Sequence, residues 1–211
     1  MRFYKFPKWF KRFYAGAVWD FFLSREKIIY LTFDDGPNPE STEWILNLLN
    51  EYNAKATFFC LGKNVNKSPQ LFAKIKSQGH SIGNHGMNHL SGFNTPLKEY
   101  LEDVNAAKKI IKSNLFRPAY GRMTRTQFRE IKKLGNTIIF WSLLTYDFDA
   151  TLNSETRKNL ILKKTKPGSI LVFHDSDKSF PQLKMELPEL MKLWSDSSYR
   201  FEKINELKNN V

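Results

Sequence analysis

Short apolar runs and amphipathic segments alternate along the chain from residue 27 onward. Runs of about five residues rich in Ile, Val, Leu and Phe predict buried strands, whereas apolar residues spaced three and four apart predict helices. The predicted strands cover residues 27–33, 56–61, 81–84, 116–117, 137–141, 169–174 and 199–204. The predicted helices cover residues 41–52, 69–78, 96–113, 126–134, 154–165 and 183–195.

Segment 41–52 shows the helical pattern clearly, with its apolar residues on one face and Ser41 as the expected N-cap. That face carries Trp44, Ile45, Leu48, Leu49 and Tyr52. Alternation of strands and helices predicts an α/β fold with a parallel sheet or barrel. In such folds catalytic and binding side chains collect at the carboxyl ends of the strands.

Composition indicates one folded domain of ordinary size. The chain has 211 residues, 41% of them hydrophobic, which is enough for a large core. A single cysteine, Cys60, excludes an internal disulfide, and its apolar surroundings predict a core residue rather than a nucleophile. The net charge of +12 favours anionic partners, although a lysine-rich solvated surface explains it equally well. No zinc-finger, RNA-recognition or Walker-type signature indicates nucleic acid.

Residues 1–26 are expected to form a basic and aromatic arm ahead of a domain spanning 27–211. The first 14 residues contain five basic and seven aromatic residues and no acid. A small-residue stretch at 15–17 resembles a signal-peptidase site, but basic residues interrupt the apolar segment that a signal peptide requires. No apolar stretch predicts a transmembrane helix. We therefore expect a cytoplasmic or peripherally membrane-associated protein, whose arm either lies at a membrane interface or packs on the domain.

The end of the first predicted strand carries two adjacent carboxylates, Asp34 and Asp35, followed by Gly36 and Pro37. A turn at this point can direct both carboxylates into one cleft, where they repel each other unless a cation or a proton intervenes. The pair therefore indicates a metal site, a catalytic base, or both. The alternative is a surface turn in which an aspartate caps the next helix.

Three of the four histidines lie in a short stretch that contains His80, His85 and His89. One helical turn would place His85 and His89 on the same face, a spacing that suits two nitrogen ligands on one metal. Together with a nearby carboxylate they form a credible site with two histidines and one acid. His80 lies where the next strand begins, which favours a structural role.

Three more polar residues lie at or near predicted strand ends. His174 ends the run 169–174 and suits an acid or base near neutral pH, or else a hydrogen-bonded core position. Arg117 begins a rigid turn, and Asp147 lies in the aromatic stretch 141–148. An ordinary surface arginine and a turn aspartate are the alternatives for these two.

Taken together, these motifs resemble the polysaccharide deacetylase family, also called the NodB-homology domain or carbohydrate esterase family 4. Five motifs occur in the family's order: Thr32–Pro37, His85–His89, Arg117–Gly121, the stretch ending at Asp147-Phe148, and Val172–His174. The resemblance covers roughly residues 27–206. It implies an α/β fold of the NodB-homology type, a distorted (β/α)7 barrel.

The resemblance also implies a ligand set and a base. Asp35, His85 and His89 would bind a divalent metal, usually zinc, which would polarise an acetyl carbonyl and acidify a bound water. Asp34 would be the general base, and Arg117 would hold it as a carboxylate.

The remaining catalytic roles follow from the same resemblance. The backbone N–H of Tyr120 would join the metal in stabilising the oxyanion. His174, oriented by Asp147, would protonate the leaving amine. The expected enzyme is a metal-dependent hydrolase that removes acetyl groups from N-acetylated sugars such as chitooligosaccharides or peptidoglycan.

Four residues depart from the family's pattern. Gly86 stands where Ser or Thr is usual, and Ala119 replaces a common proline. In the fourth motif Leu144 replaces an aspartate and Phe148 a tryptophan. None of these changes removes a proposed ligand, acid or base. The last two are expected to alter the wall of the acetyl pocket or an adjacent subsite.

Several other functions remain open on the sequence. The protein could be an esterase for O-acetylated xylan or a poorly active glycan-binding pseudoenzyme, and a non-haem iron oxygenase also uses two histidines and a carboxylate. The adjacent second aspartate and the separate His174 fit hydrolysis better. The expected partners are an acetylated glycan and, through the basic N-terminus, an anionic polymer or membrane surface. We expect no nucleic acid partner, and a monomer.

Overall fold

The computed structural model describes residues 8–23 and 26–205. The helices are α1 (Lys8–Phe13), α2 (Ser41–Glu51), α3 (Gly62–Lys67), α4 (Pro69–Ser77), α5 (Leu97–Ile111), α6 (Arg125–Lys133), α7 (Ser154–Lys164) and α8 (Phe180–Asp196). The strands are β1 (Ile28–Asp34), β2 (Thr57–Cys60), β3 (Ser81–Asn84), β4 (Leu115–Phe116), β5 (Thr137–Ile138), β6 (Leu143–Leu144), β7 (Ser169–His174) and β8 (Arg200–Phe201). Short 3₁₀ helices cover Gly92–Asn94 and Ala119–Gly121.

The strands pair in parallel in the order β5-β4-β3-β2-β1-β7-β6, and β8 pairs with β1 beside this path. Seven strands therefore form a curled sheet with ends at β5 and β6, as the distorted (β/α)7 barrel predicts. β1 lies at its centre and is buried on both faces, which is usual where helices cover a parallel sheet. Ile29, Leu31 and Phe33 belong to one apolar cluster, while Tyr30 packs against the other.

Most elements agree with their predicted bounds, and the differences are local, such as the predicted strand 199–204, which is a strand only at Arg200–Phe201. Helix α2 begins at Ser41, but the side chain of Asn38 accepts the first N–H groups, at 3.1 Å from Glu40 and 3.0 Å from Ser41. The prediction that Ser41 is the N-cap was therefore wrong. The predicted strand 137–141 is a strand only as far as Ile138. Helices α1 and α3 and strand β6 were not predicted, because each is too short to show a period.

The described part of the N-terminal arm packs on the domain. Val18 forms a parallel bridge with Ile139, and the ring of Trp19 stacks on Phe140 with centroids 4.2 Å apart. The buried Tyr14 donates a hydrogen bond from its hydroxyl to a main-chain carbonyl 109 positions away. Residues 1–7, which carry the rest of the basic and aromatic pattern, lie outside the described residues. In residues 8–23 and 26–205, no helix has the length and apolar character needed to cross a membrane.

Candidate active site

The carboxyl ends of neighbouring strands bring the predicted site residues to one edge of the sheet. β1 ends at Asp34, whose backbone is in register with Phe59 of β2 on one side and His174 of β7 on the other. His85 directly follows β3, and Arg117 directly follows β4. The architecture therefore places residues distant in sequence around a single cleft.

Asp34 is a buried carboxylate held by Arg117. Its Oδ1 accepts a hydrogen bond from Nη1 of Arg117 at 2.7 Å. Arg117 is fully buried, and its Nε and Nη2 donate to the carbonyls of Ile139 (3.2 Å) and Phe140 (3.1 Å). Oδ2 of Asp34 is then the oxygen toward His85, 3.9 Å from its Nε2. The arginine thus fixes one oxygen and leaves the other toward the candidate metal ligands.

Asp35, His85 and His89 present three ligand atoms to one point. Oδ1 of Asp35 lies 3.7 Å from Nε2 of His85 and 3.3 Å from Nε2 of His89. Possible ligand atoms of all three lie within 4.8 Å of one another. Ligands about 2.0–2.2 Å from a tetrahedral zinc ion stand roughly 3.3–3.5 Å apart, so the observed separations suit one small divalent cation.

The protonation and burial of these groups also fit a cation. Oδ1 of Asp35 is buried without a hydrogen-bond partner, which is costly unless a cation contacts it. Nδ1 of His85 donates to the carbonyl of Arg117 at 2.8 Å, which fixes the ring with Nε2 toward Asp35 and His89. Burial, reinforced by His85, lowers the pKa of His89 to about 4, so this imidazole is neutral near pH 7.

The backbone at Asp35 supports a functional role for the residue. Its φ of 85° is rare for a residue with a side chain. The side-chain amide of Asn64 donates to its carbonyl at 2.7 Å. Such backbone conformations persist where the surroundings impose them, and they cluster at functional sites.

His89 reaches the site through a loop and not through a helical turn between the two histidines. The segment after β3 is not helical, and Gly86 and His89 have positive φ angles of 88° and 62°. Asp103 of α5 holds the loop by accepting the backbone N–H groups of Met87 (2.8 Å) and Asn88 (3.0 Å). The geometry of the second ligand thus depends on a carboxylate from another element.

Asp103 also accounts for the glycine at position 86. A Cβ at this position would lie 2.8 Å from Oδ2 of Asp103, closer than ordinary contact. The carboxylate therefore occupies the space that a side chain at Gly86 would need. The loop is held from α5, and a hydroxyl at position 86 is not required for its anchoring.

His174 and Asp147 form a second functional pair. Oδ1 of Asp147 lies 2.8 Å from Nδ1 of His174, and Oδ2 accepts the histidine's backbone N–H at 2.7 Å. Burial lowers the pKa of His174, but Asp147, with smaller contributions from Asp35 and Asp34, outweighs burial and raises it to about 9. A protonated imidazole held through Nδ1 at the cleft is suited to donate a proton from Nε2.

A cavity of about 510 Å³ is lined by the candidate base, metal ligands and acid: Asp34, Asp35, His85, His89 and His174. Tyr120 lies at its exposed side, with a φ of 58° and its ring 4.4 Å from that of His89. The two departures Leu144 and Phe148 line the cavity, as their positions in the motif predicted. The rings of Phe148 and His174 are nearly perpendicular, with centroids 5.0 Å apart. These two apolar side chains therefore form part of the wall beside the candidate acid.

Two polar contributors to the site were missed in the sequence. The hydroxyl of Thr32 accepts from Arg117 at 2.7 Å and donates to a carbonyl of β7 at 2.7 Å. The buried Asp175 accepts the backbone N–H of Gly36 at 2.9 Å and the hydroxyl of Thr42 at 2.5 Å. Burial raises the pKa of Asp175 to about 8. A Cβ on Gly36 would lie 1.8 Å from this carboxylate, so the glycine is needed for their close approach.

His80 and Cys60 lie where their surroundings predicted. Nδ1 of His80 accepts the backbone N–H of Ala56 at 3.2 Å, and burial lowers the pKa of this histidine to about 4. Cys60 is completely buried in the main apolar cluster. Neither residue lines the cleft.

The fold and the site define an α/β protein with a curled parallel sheet and a candidate centre of one aspartate and two histidines. The family model for polysaccharide deacetylase matches residues 24–139, more than half of the chain. The chain belongs to this family, which confirms the expectation drawn from its motifs.

Known relatives carry consistent names. The chain is 35% identical over 190 residues to a peptidoglycan-N-acetylglucosamine deacetylase of Bacillus cereus, covering 87% of this chain and 89% of the relative. It is 32% identical over 154 residues to a chitooligosaccharide deacetylase of Azorhizobium caulinodans, covering 70% and 73% respectively. The crystal structure of the Bc1960 peptidoglycan N-acetylglucosamine deacetylase superposes with a TM-score of 0.84 at 27% identity, covering 93% of each chain. These names all describe hydrolases of acetylated amino sugars.

Proposed function

We propose that this protein is a metal-dependent N-deacetylase of glycans that contain N-acetylglucosamine, with peptidoglycan as the first candidate substrate and chitooligosaccharides as the second. The observation that carries the proposal is the convergence of three kinds of group on one cavity. They are a candidate metal-ligand set, a carboxylate fixed by Arg117, and an imidazole paired with Asp147. Amide hydrolysis uses all three, because water must be activated and the amine must leave with a proton.

Asp35, His85 and His89 would hold the metal, and zinc is the proposed ion because imidazole and carboxylate ligands are usual in its catalytic sites. A divalent metal bound there supplies Lewis-acid polarisation of the acetyl carbonyl and acidification of water. The buried, unpartnered Oδ1 of Asp35 is the observation that most favours a bound cation.

Asp34 is the proposed base, and it takes the water proton on Oδ2. Its Oδ1 stays bound to Arg117, which keeps the carboxylate in one orientation during the transfer. The backbone N–H of Tyr120 is the proposed donor to the negative charge that develops on the acetyl oxygen. Preorganised donors of this kind act without rearrangement in the transition state.

His174 is the proposed acid, and it gives its Nε2 proton to the amine nitrogen as the carbon–nitrogen bond breaks. Asp147 holds Nδ1 and the backbone N–H of the same residue, so the ring has little freedom to turn. The products are acetate and a free amino sugar.

We also propose that the protein is a monomer that associates peripherally with anionic surfaces through its basic N-terminal arm. One chain supplies every proposed catalytic group, which supports a monomer. Three residues of the arm are exposed and could contact a surface: Arg12, Phe13 and Phe22. Tyr14 and Trp19 are buried in the core. Replacing Arg2, Lys5 and Arg12 by Gln should weaken binding to anionic vesicles, and unchanged binding would contradict this role.

Acetate release from a panel of peptidoglycan fragments, chitooligosaccharides and acetylated xylan tests the proposed activity. We expect release from the two N-acetylated substrates, and none from the Asp34→Asn variant, which should still bind metal. Asp196→Asn, a change on the exposed end of α8, is the matched control and should be fully active. Release from xylan alone would establish an O-acetyl esterase instead, and an active Asp34→Asn variant would refute the base assignment.

A further inference from the structure

The loop between β6 and α7 carries two residues that contact His174. Asp147 binds both the ring and the backbone N–H of this histidine, and Phe148 packs against its ring in a T-shaped contact. The loop bends sharply, because Tyr146 has a left-handed φ of 60° that a bulky side chain rarely adopts. A conformation of this kind persists only where surrounding contacts impose it.

Arg157 of α7 supplies such contacts. Its Nη1 donates to the carbonyl of Tyr146 at 3.2 Å and to the carbonyl of Asp149 at 2.8 Å. These two carbonyls stand on either side of Asp147 and Phe148 in the chain. One guanidinium nitrogen therefore binds both ends of the segment that contacts the proposed acid.

Glu186 of α8 fixes Arg157 from the opposite side. Nε of Arg157 donates to Oε1 at 3.1 Å and to Oε2 at 2.8 Å, and Nη2 donates to Oε1 at 2.6 Å. The two side chains are only 1% and 3% exposed. A bidentate pair of this kind fixes the plane of the guanidinium. Apolar side chains of similar size often stabilise a core equally well, so stability alone is a weak reason for a buried ion pair.

We propose that Arg157, held by Glu186, is a positioning residue that fixes the 146–149 loop so that Asp147 and Phe148 orient His174. Arg157 touches neither the cleft nor the proposed reacting atoms, and it acts only through the loop. The proposal rests on the proposed function, because it takes His174 to be the proton donor.

Two variants test the role of Arg157. The double variant Arg157→Met/Glu186→Met removes the donors to the loop and leaves no unpaired buried charge, so the fold should survive. Arg157→Lys keeps the charge, but an ammonium lacks the planar fork that reaches Glu186 and both carbonyls together. Arg129→Met, a change of an exposed arginine on α6, is the matched control.

The double variant should retain its Tm and its bound metal and lose about tenfold or more in kcat, with a smaller change in KM. Arg157→Lys should show an intermediate loss, and Arg129→Met none. The second readout is the downfield proton NMR signal of the His174 Nδ1–H that bonds Asp147, recorded without substrate. We expect this signal to broaden or disappear in the double variant and to remain in the control.

Unchanged kcat together with an unchanged Nδ1–H signal in a folded double variant would overturn the positioning role. If the double variant does not fold, the same two readouts on Arg157→Lys decide the question. The NMR signal needs no turnover, so it separates a failure of this proposal from a failure of the proposed activity. If the wild-type protein shows the signal but releases no acetate from any substrate, loss of the signal in the double variant would still show that Arg157 positions His174, and only the proposed activity would be refuted.

Discussion

Replacing Asp147 by Asn tests whether a carboxylate makes His174 an acid. Asn has nearly the same shape, so the change removes the negative charge and one of the two acceptors that Asp147 offers to the ring and the backbone N–H of His174. In the protein Asp147 lies 2.8 Å from Nδ1 of His174 and is almost completely buried. A charge removed at this distance from a partly buried imidazole should have a large effect on its pKa.

The size of the effect follows from the pKa of His174, which is about 9 against an ordinary value of 6.5. That difference corresponds to roughly 3 kcal/mol of preference for the charged ring. Without Asp147, burial dominates, and the pKa should fall to about 6.5 or lower. At about pH 8 the protonated fraction then drops from about nine-tenths to about one-thirtieth, so the rate should fall roughly 30-fold.

The assay is kcat/KM for acetate release from chitooligosaccharides across the pH range, with Asp196→Asn as the control. In the wild type, activity should decline as pH rises through about 9, and in Asp147→Asn the decline should begin near 6.5 or below. The free energy of unfolding should also decrease as pH rises, because the charged His174 stabilises the fold. A raised folded-state pKa stabilises the fold fully below about pH 6.5, and this contribution is lost as pH rises through about 9.

The difference in Tm between wild type and Asp147→Asn should therefore be large near pH 6 and should shrink above about pH 9. If the kcat/KM of a folded Asp147→Asn protein still declines only near pH 9, Asp147 is not the cause of the raised pKa of His174. A Tm difference that is independent of pH would show that the lost hydrogen bond, and not the ion pair, causes the destabilisation.

Three further substitutions have defined outcomes. His85→Ala should lose stoichiometric metal on dialysis, measured by elemental analysis. The control variant His80→Ala should retain its metal, and retained metal in both variants would contradict the ligand set. Gly36→Ala should lower Tm and destabilise the fold by about 2 kcal/mol or more, because its Cβ would lie 1.8 Å from a buried carboxylate. Gly86→Ser should weaken metal binding about tenfold through its φ of 88°, and an unchanged affinity by titration calorimetry would show that the loop adapts.

The order of strands and helices, and the place of each candidate residue at a strand end, could be read from the sequence. Apolar runs mark strands locally, so Asp34, His85 and His174 could be assigned to strand ends without any tertiary contact. The motif resemblance then grouped these residues into one family site. Short elements such as α3 and β6 were not predicted, because a hydrophobic period is visible only over several repeats.

The side-chain contacts that hold the site together could not be predicted from the sequence. The loop to His89 turns through positive φ angles and is held by Asp103, which no spacing rule describes. Arg157 looks like an ordinary charged residue of a helix, yet its side chain is buried against Glu186 and the loop of the proposed acid. Sequence patterns report which face a residue occupies, and they do not report which distant group it meets.

The α/β alternation, the family and the types of side chain at the strand ends follow from the amino-acid sequence, because they depend on local periodicity and on motifs. The orientation of those groups, in contrast, depends on contacts between residues that are far apart in the chain. Asp34 and Arg117 meet across 83 positions, and Asp175 meets Gly36 across 139. Such pairs form only when a curled parallel sheet sets its strands in one register, because register and curvature decide which side chains come within hydrogen-bond distance.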